Sequence, residues 1–308
     1  LHIPSKRIFL QKTNNYMIKF YQVLGLMIAL FLGGCIEDNN PSRPAYVYIE
    51  DIFFEADTSL GQGSSSSNIT DVWVSVDGQL LGTNNLPALF PVILDDNFQV
   101  NSVRISAGIK DNGITNTRAI YPFYDPNVTT VDLESGKIDT FRPTLYYPSN
   151  ANVIIVEDFE DPNQPIFTDD LDGNPNTEMI TQMDEVFEGN YSGALVLDSA
   201  NLDCTVATST HYYNLNNISA TAVYLEMNFK TNTPFQVGLV AHYGSNDTEV
   251  LYKGGVNATT TWKKIYFNLT EEAYGANAAE YSVIVRALKT ADIDQPQIYV
   301  DNIKLLHF

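Results

Sequence analysis

The stretch Thr221-Ala222-Val223-Tyr224-Leu225-Glu226-Met227-Asn228-Phe229 decides how this chain folds. Val223, Leu225, Met227 and Phe229 occupy every second position, with Ala222, Tyr224, Glu226 and Asn228 between them. Side chains of a strand point alternately to opposite faces, so this period puts an apolar set on one face and a mostly polar set on the other. The reading is a half-buried antiparallel strand, one face on a core and the other in water. Short β-branched or alternating runs recur around it at residues 153–156, 194–197, 235–243, 250–253, 262–269, 281–287 and 297–306.

Upstream the same pattern marks residues 46–54, 72–76, 100–108, 117–121 and 140–147. Val72, Val74 and Val76 alternate with Trp73 and Ser75, and Asp77-Gly78 supplies a hairpin turn into Gln79-Leu80-Leu81. Residues 61–68 (GQGSSSSN) read as a flexible loop. Gly, Asn, Asp and Pro clusters separate the runs, and nothing after the N-terminal segment has a helical period. The expected fold is all-β: two β-sandwich domains with a boundary near Pro148-Ser149-Asn150, an immunoglobulin-like one over 45–149 and a second over 150–308. The 18 Tyr and 16 Phe supply enough apolar bulk for two packed cores.

The first 44 residues are an address and not part of either core. Val23-Leu24-Gly25-Leu26-Met27-Ile28-Ala29-Leu30-Phe31-Leu32 follows Lys19 and precedes Gly33-Gly34-Cys35. Ten apolar residues are too few for a span of ~20, but fit the core and small-residue cleavage site of a secretory signal. Leu32-Gly33-Gly34-Cys35 resembles the bacterial lipobox, which implies a leader over 1–34 with a natural start at Met17, and lipid on Cys35. Acyl chains each contribute ~0.8 kcal/mol per buried CH₂, so more than one anchors a protein stably. Residues 36–44 are a polar tether of at most ~30 Å. Glu37 and Asp38 resemble the surface-export signal of Bacteroidota lipoproteins, which implies an outer-membrane, surface-exposed protein.

Charge narrows the partners. The chain has 17 Lys plus Arg against 37 Asp plus Glu; Lys6, Arg7, Lys12 and Lys19 precede Cys35 and no acid does. Such a surface repels phosphate backbones and argues against nucleic acid as a partner. Its acidity keeps an exposed protein soluble; cation binding is the sharper alternative. Cys204 is the only other cysteine, so there is no disulfide framework, and it reads as a small buried hydrophobe.

The second unit opens with Glu157-Asp158-Phe159-Glu160 and closes with Ile298-Tyr299-Val300-Asp301-Asn302-Ile303-Lys304-Leu305. Over residues 151–308 it resembles the galactose-binding-like jelly rolls that include many carbohydrate-binding modules. The resemblance implies a jelly-roll sandwich, often with a structural calcium, attached to surface glycan machinery. It places that calcium between Glu160 and Asp301 with Asp158 as a third ligand; carboxylates that cap turns are the other reading of the same residues. The acidic stretch Asp170-Leu171-Asp172-Gly173-Asn174-Pro175-Asn176 departs from an EF-hand loop, with Pro175 at its sixth position and Thr181 at its twelfth, and reads as a surface loop.

Sugar binding needs exposed rings that stack on pyranose faces. Trp73, Tyr212, Tyr213, Tyr243 and Trp262 are the candidates, and Tyr212 and Tyr213 point to opposite faces if they lie in a strand. Trp262, beside Ile265 and Phe267, reads as core; Tyr243, at a strand end beside His242, is the better exposed. Ser199 in Asp198-Ser199-Ala200 resembles the O-glycosylation acceptor of Bacteroidota. No nucleophile elbow, zinc-helix motif, phosphate loop or Cys-x-x-Cys pair occurs, and His211 and His242 read as packing or surface groups. The sequence therefore points to a non-catalytic surface lipoprotein that binds glycan through its jelly roll. The rival is a structural or assembly protein of the envelope that contacts other envelope proteins and binds no sugar.

Overall fold

The computed structural model describes residues 43–94, 100–216, 222–244, 247–290 and 292–308. Cys35, the leader before it and the tether as far as residue 42 lie outside the described residues. Val223–Thr231 is a central strand, antiparallel to Gln297–His307 on one side and Thr259–Asn268 on the other. Ser192–Val196 and Ile180–Gln182 extend this sheet, and Asn152–Glu157 pairs with the far end of Gln297–His307. A second sheet runs Asp169–Asp170, Asp203–Ala207, Glu280–Leu288, Phe235–Gly244, Asp247–Val256, with Tyr212–Tyr213 also on Glu280–Leu288. Leu225, Met227, Phe229, Val300 and Leu305 of the first sheet share one core with Val237, Leu239, Val283 and Val285 of the second. This is the jelly-roll sandwich; Cys204 lies in its core, 1% exposed, where burial pushes the thiol up to about 12. One short α-helix, Thr270–Ala276, and one 3-10 turn, Thr58–Leu60, are present among the described residues.

The upstream sandwich pairs Gln79–Asn85, Asp71–Val76, Asn101–Lys110 and Arg118–Ile120 in one sheet, with Asn127–Val131 also on Asn101–Lys110. Ala88–Val92, Ala45–Ile49 and Ile138–Phe141 form the other. Val72, Val74 and Val76 are buried as their period requires, and Asp77 and Gly78 both adopt positive φ (51° and 80°) in the hairpin turn. Two positive φ angles match the right-handed twist of the flanking strands. The sandwich is as expected. Ala45–Ile49 pairs antiparallel with Ala88–Val92 on one side and parallel with Ile138–Phe141 on the other, and Phe53–Phe54 pairs parallel with Thr144–Leu145. Ala88–Val92 had no strand signal because Pro91 interrupts it; the strand lies at a sheet edge, where a missing N–H costs no ladder bond.

The expectation of a half-buried central strand is corrected. The face carrying Tyr224, Glu226 and Asn228 is not in water: Ala222, Tyr224, Tyr266 and Leu306 belong to the same apolar cluster as the upstream sandwich. Both faces of the first jelly-roll sheet are therefore covered, and Pro44 to Phe308 forms one compact unit. Tyr121 packs edge-on against Tyr224 at 5.1 Å and near Tyr266 at 4.8 Å, while Phe123 stacks on Phe308 at 4.7 Å.

Inside this seam sits a buried charge cluster. Glu226 accepts from the Tyr121 hydroxyl at 2.6 Å and the Tyr147 hydroxyl at 3.2 Å, and faces the Lys264 ammonium at 2.9 Å. Lys304, directly across the ladder from Glu226, donates to the Ser64 carbonyl and lies 5.3 Å from the centre of the Tyr147 ring. Burial pushes the Glu226 carboxyl up, but the two lysines outweigh it and hold the group below its ordinary value. Burial dominates at Lys304 and lowers it to about 8. The segment 61–68 is correspondingly not a free loop. Ser64 donates to Glu188, Asn228 donates to Ser66 Oγ at 2.8 Å, and Asn68 donates to the Tyr266 hydroxyl at 2.7 Å.

Removing one member of a buried pair leaves an uncompensated charge, so Glu226→Ala should cost about 3–5 kcal/mol in urea unfolding, whereas changing Glu226, Lys264 and Lys304 together to Met should cost far less. Because the folded carboxyl lies below its unfolded value of 4.5, its contribution is complete above that pH and is lost as pH falls through the folded value. Glu226→Gln should accordingly flatten the acid limb of a stability profile, and an unchanged limb would contradict the assignment.

Candidate functional site

The jelly roll has a second outer sheet face, and it is built differently. Ser282, Ile284 and Arg286 alternate with Tyr281, Val283 and Val285 of the core, so they point away from it. Ala207, Val240 and Ile284 form a small separate apolar cluster on this outer side, with Tyr252 packed against it. Above that floor stand planar and polar groups from four strands. Arg286 donates to Asp203 through Nε at 3.3 Å and Nη2 at 2.8 Å, and its guanidinium lies 5.9 Å from the centre of the Tyr252 ring. The fork geometry fixes the guanidinium plane. Gln236 shares the face through its pairing with Arg286. Gly238, opposite Tyr252, could not carry a side chain, since a Cβ there would come within 2.0 Å of the Leu251 carbonyl.

At one end of the face His211 and His242 stack with centroids 4.1 Å apart. His211 Nδ1 is 2.6 Å from Glu280 Oε2, and His242 Nε2 is 2.9 Å from Ser282 Oγ. Burial first, and His211 second, push His242 below its ordinary value. This is not a nucleophile, base and orienting acid in series. The carboxylate bonds a different imidazole from the one that meets the serine, and Ser282 is 1% exposed.

The residues singled out from sequence are divided among different places. Tyr212 is 5% exposed in the jelly-roll core, level with Tyr281, so it cannot offer a ring to a sugar; that expectation is corrected. Tyr213, opposite Glu280, is 54% exposed on the outer face. Tyr243 is exposed but alternates with His242 and so leaves that face; its hydroxyl donates to Glu249 at 2.8 Å. Trp262 is half-buried and does not join the core with Ile265 and Phe267, because alternation sets it with Lys264 and Tyr266 instead. Trp73 lies across Gly108, where a Cβ would come within 2.1 Å of the indole. Ser199 is exposed in a turn that Asp198 closes by accepting from Ala200 and Asn201. Tyr252, Arg286 and Asp203 carried no local signal, since they come from strands far apart in the chain.

The proposed calcium ligands do not form a cage as they stand. Glu160 accepts the amides of Asn190 at 2.8 Å and Tyr191 at 3.0 Å, and Asp158 accepts that of Glu160 at 3.2 Å. Asp301 accepts from the Phe187, Glu188 and Asn302 amides. Burial nonetheless pushes Asp301 up to about 7, with Glu160 adding to the rise. Calcium needs oxygen ligands, whereas these oxygens face N–H donors; among the described residues no three acidic, thiol or imidazole side chains converge as a metal site. The bonds they make here are those of turn capping, the other reading of the same residues.

No known protein family and none of the curated proteins matches the chain. Among solved structures it is similar to the family 30 carbohydrate-binding module of a cellulosomal cellulase of Clostridium thermocellum, at 12% identity and a TM-score of 0.39, over 50% of this chain and 96% of that one. It is also similar to a xylan-binding domain from Paenibacillus barcinonensis, at 11% identity and TM-score 0.33, over 51% of this chain and 95% of that one. A third is a family 61 module solved with β-1,4-galactotriose, at 12% identity and TM-score 0.29, over 51% of this chain and 88% of that one.

Thermal melting separates the two adjacent tyrosines: Tyr212→Ala should destabilise by about 3 kcal/mol, and Tyr213→Ala by less than about 0.5 kcal/mol. The same melts run with a chelator should not move, and a chelator-dependent drop would restore a cation to the carboxylates around Asp301.

Proposed function

We propose that this is a non-catalytic glycan-binding protein of the cell envelope, held to the outer membrane by lipid on Cys35. The supporting observation is the open jelly-roll face, where Tyr252, Tyr213, Arg286 and Asp203 stand over an apolar floor. Rings and a guanidinium plane receive the C–H face of a pyranose, while Asp203, Gln236 and Arg286 offer acceptors and donors to its hydroxyls. Arg286 is held in place before a ligand arrives, so less side-chain entropy is lost on binding. The serine that meets His242 is buried and the carboxylate bonds the other imidazole, which favours binding over turnover.

A glycan array followed by calorimetry on the purified protein tests this. Saturable binding should fall at least tenfold in Tyr252→Ala and in Arg286→Ala, with melting unchanged; binding indifferent to both substitutions would remove the face from consideration. Silence across the array would shift the reading to an envelope assembly role. The anchor is read from Leu32-Gly33-Gly34-Cys35 and has its own test: fatty-acid labelling in a bacterial host should be lost in Cys35→Ser, and labelling that persists would disprove it.

A further inference from the structure

The first jelly-roll sheet is covered along only part of its outer face. On Val223–Thr231 the residues that point away from the jelly-roll core are Tyr224, Glu226, Asn228 and Lys230. Three of them meet the upstream sandwich: Tyr224 packs on Tyr121, Glu226 accepts from Tyr121 and Tyr147, and Asn228 donates to Ser66. Lys230 instead bonds Glu185 of the jelly roll itself, at 2.6 Å. The cover therefore gives out between Asn228 and Lys230, at the margin of the joint. Tyr299 stands directly across the ladder from Lys230, with Ala194 next to it and Ile180 beyond, so a single row crosses four strands there.

A cleft of about 680 Å³ opens at this row, within the roughly 300–1,000 Å³ typical of ligand sites, and every residue that lines it belongs to the jelly roll. Tyr299, Gln297, Lys230, Glu185, Thr260 and Thr261 bring its chemistry. Tyr299 is half-buried, and its hydroxyl donates to Gln297 Oε1 at 3.3 Å, which leaves the Gln297 amide nitrogen for a ligand. Burial first and Glu185 second push that hydroxyl above its ordinary value, so it stays a neutral donor. Thr260 and Thr261 are exposed at the rim. Glu185 is fixed because its carbonyl accepts from Gln182 Nε2 at 2.7 Å and from Ser192 Oγ at 2.6 Å, and Gln297 because its backbone N–H donates to Asn232 Oδ1 at 2.8 Å. An anion in the middle of this cleft would meet Glu185 and a cation would meet Lys230, whereas an uncharged polyol finds donors, acceptors and a ring already in place.

We propose that this cleft is a second carbohydrate site, for a neutral oligosaccharide, in which one pyranose lies on Tyr299 and its hydroxyls bond Gln297 and the Lys230–Glu185 pair. The class of ligand rests on the glycan-binding reading given above; the place does not, since it lies on the other sheet from Tyr252 and shares no residue with that face. With one site on each sheet the protein joins two glycan segments, and the second contact is made at the effective concentration set by the first.

An array of neutral and acidic glycans, read with the full chain, Tyr252→Ala, Tyr299→Ala and the double variant, tests this. Tyr252→Ala should keep a weaker saturable component on neutral glycans. Calorimetry with the strongest of these should show that component about tenfold weaker once Tyr299→Ala or Glu185→Gln is added, and unmoved by Arg286→Ala. Because Tyr299 is partly buried, the same loss in Gln297→Ala with melting unchanged shows that the effect is local. The inference is overturned if Tyr252→Ala retains no neutral glycan, if what it retains is acidic, or if the retained binding is indifferent to Tyr299→Ala and Gln297→Ala. The Tyr252 reading fails in a different way: that substitution then leaves binding at its original strength, and Tyr299→Ala alone abolishes it.

Discussion

The architecture depends on one carboxylate. Glu226 lies on an inner strand of a sheet covered on both faces, and it is stable there because Lys264, Lys304, Tyr121 and Tyr147 surround it. The lysines belong to the same sheet and the tyrosines to the other sandwich, so the cluster neutralises itself within one half and is closed off from water by the other. Buried ion pairs of this kind contribute little net stability against a well-packed apolar alternative, but they penalise any arrangement that separates their members. The aromatic packing of Tyr121, Phe123 and Tyr224 around the cluster supplies attraction; the charges supply register.

This arrangement also decides where ligands can reach. Since the upstream sandwich covers the first sheet, the outer sheet groups of the jelly roll that stay open lie on the free face of the second sheet and at the margin of the joint. The free face carries Tyr252, Arg286 and Asp203 on an apolar floor, and the margin carries Trp262, Phe187, Lys230 and Tyr299. One is built on rigid strands of a single sandwich. The other is open only where the upstream sandwich stops, and inherits its extent from the way the two meet.

Much of the fold was legible because period and turn chemistry act locally. Val72, Val74 and Val76, the Asp77-Gly78 turn and the apolar half of the central strand needed no knowledge of their neighbours. The polar half was misread for a physical reason: alternation reports that two faces differ, not whether the second meets water or another protein layer. Trp262 was placed with Ile265 and Phe267 by proximity in sequence, although the strand period separates it from both. The open face was illegible because Asp203, Tyr252 and Arg286 are neighbours only through sheet pairing, and the one clue available, two tyrosines in succession, did not say which of Tyr212 and Tyr213 faced outward.

The order of the strands has a consequence for synthesis. The upstream sandwich is made first, with Tyr121, Phe123, Tyr124 and Tyr147 on the side that the jelly roll will cover. The covering sheet has Gln297–His307 at its middle, and that strand supplies Lys304 and Leu306 to the joint. A polypeptide cut or stalled short of Gln297 therefore carries bare aromatic rings on its finished half and a split sheet on the other, a species prone to aggregate. The strand Gln297–His307 thus closes the joint, and a polypeptide without it leaves open the aromatic surface that a finished one hides.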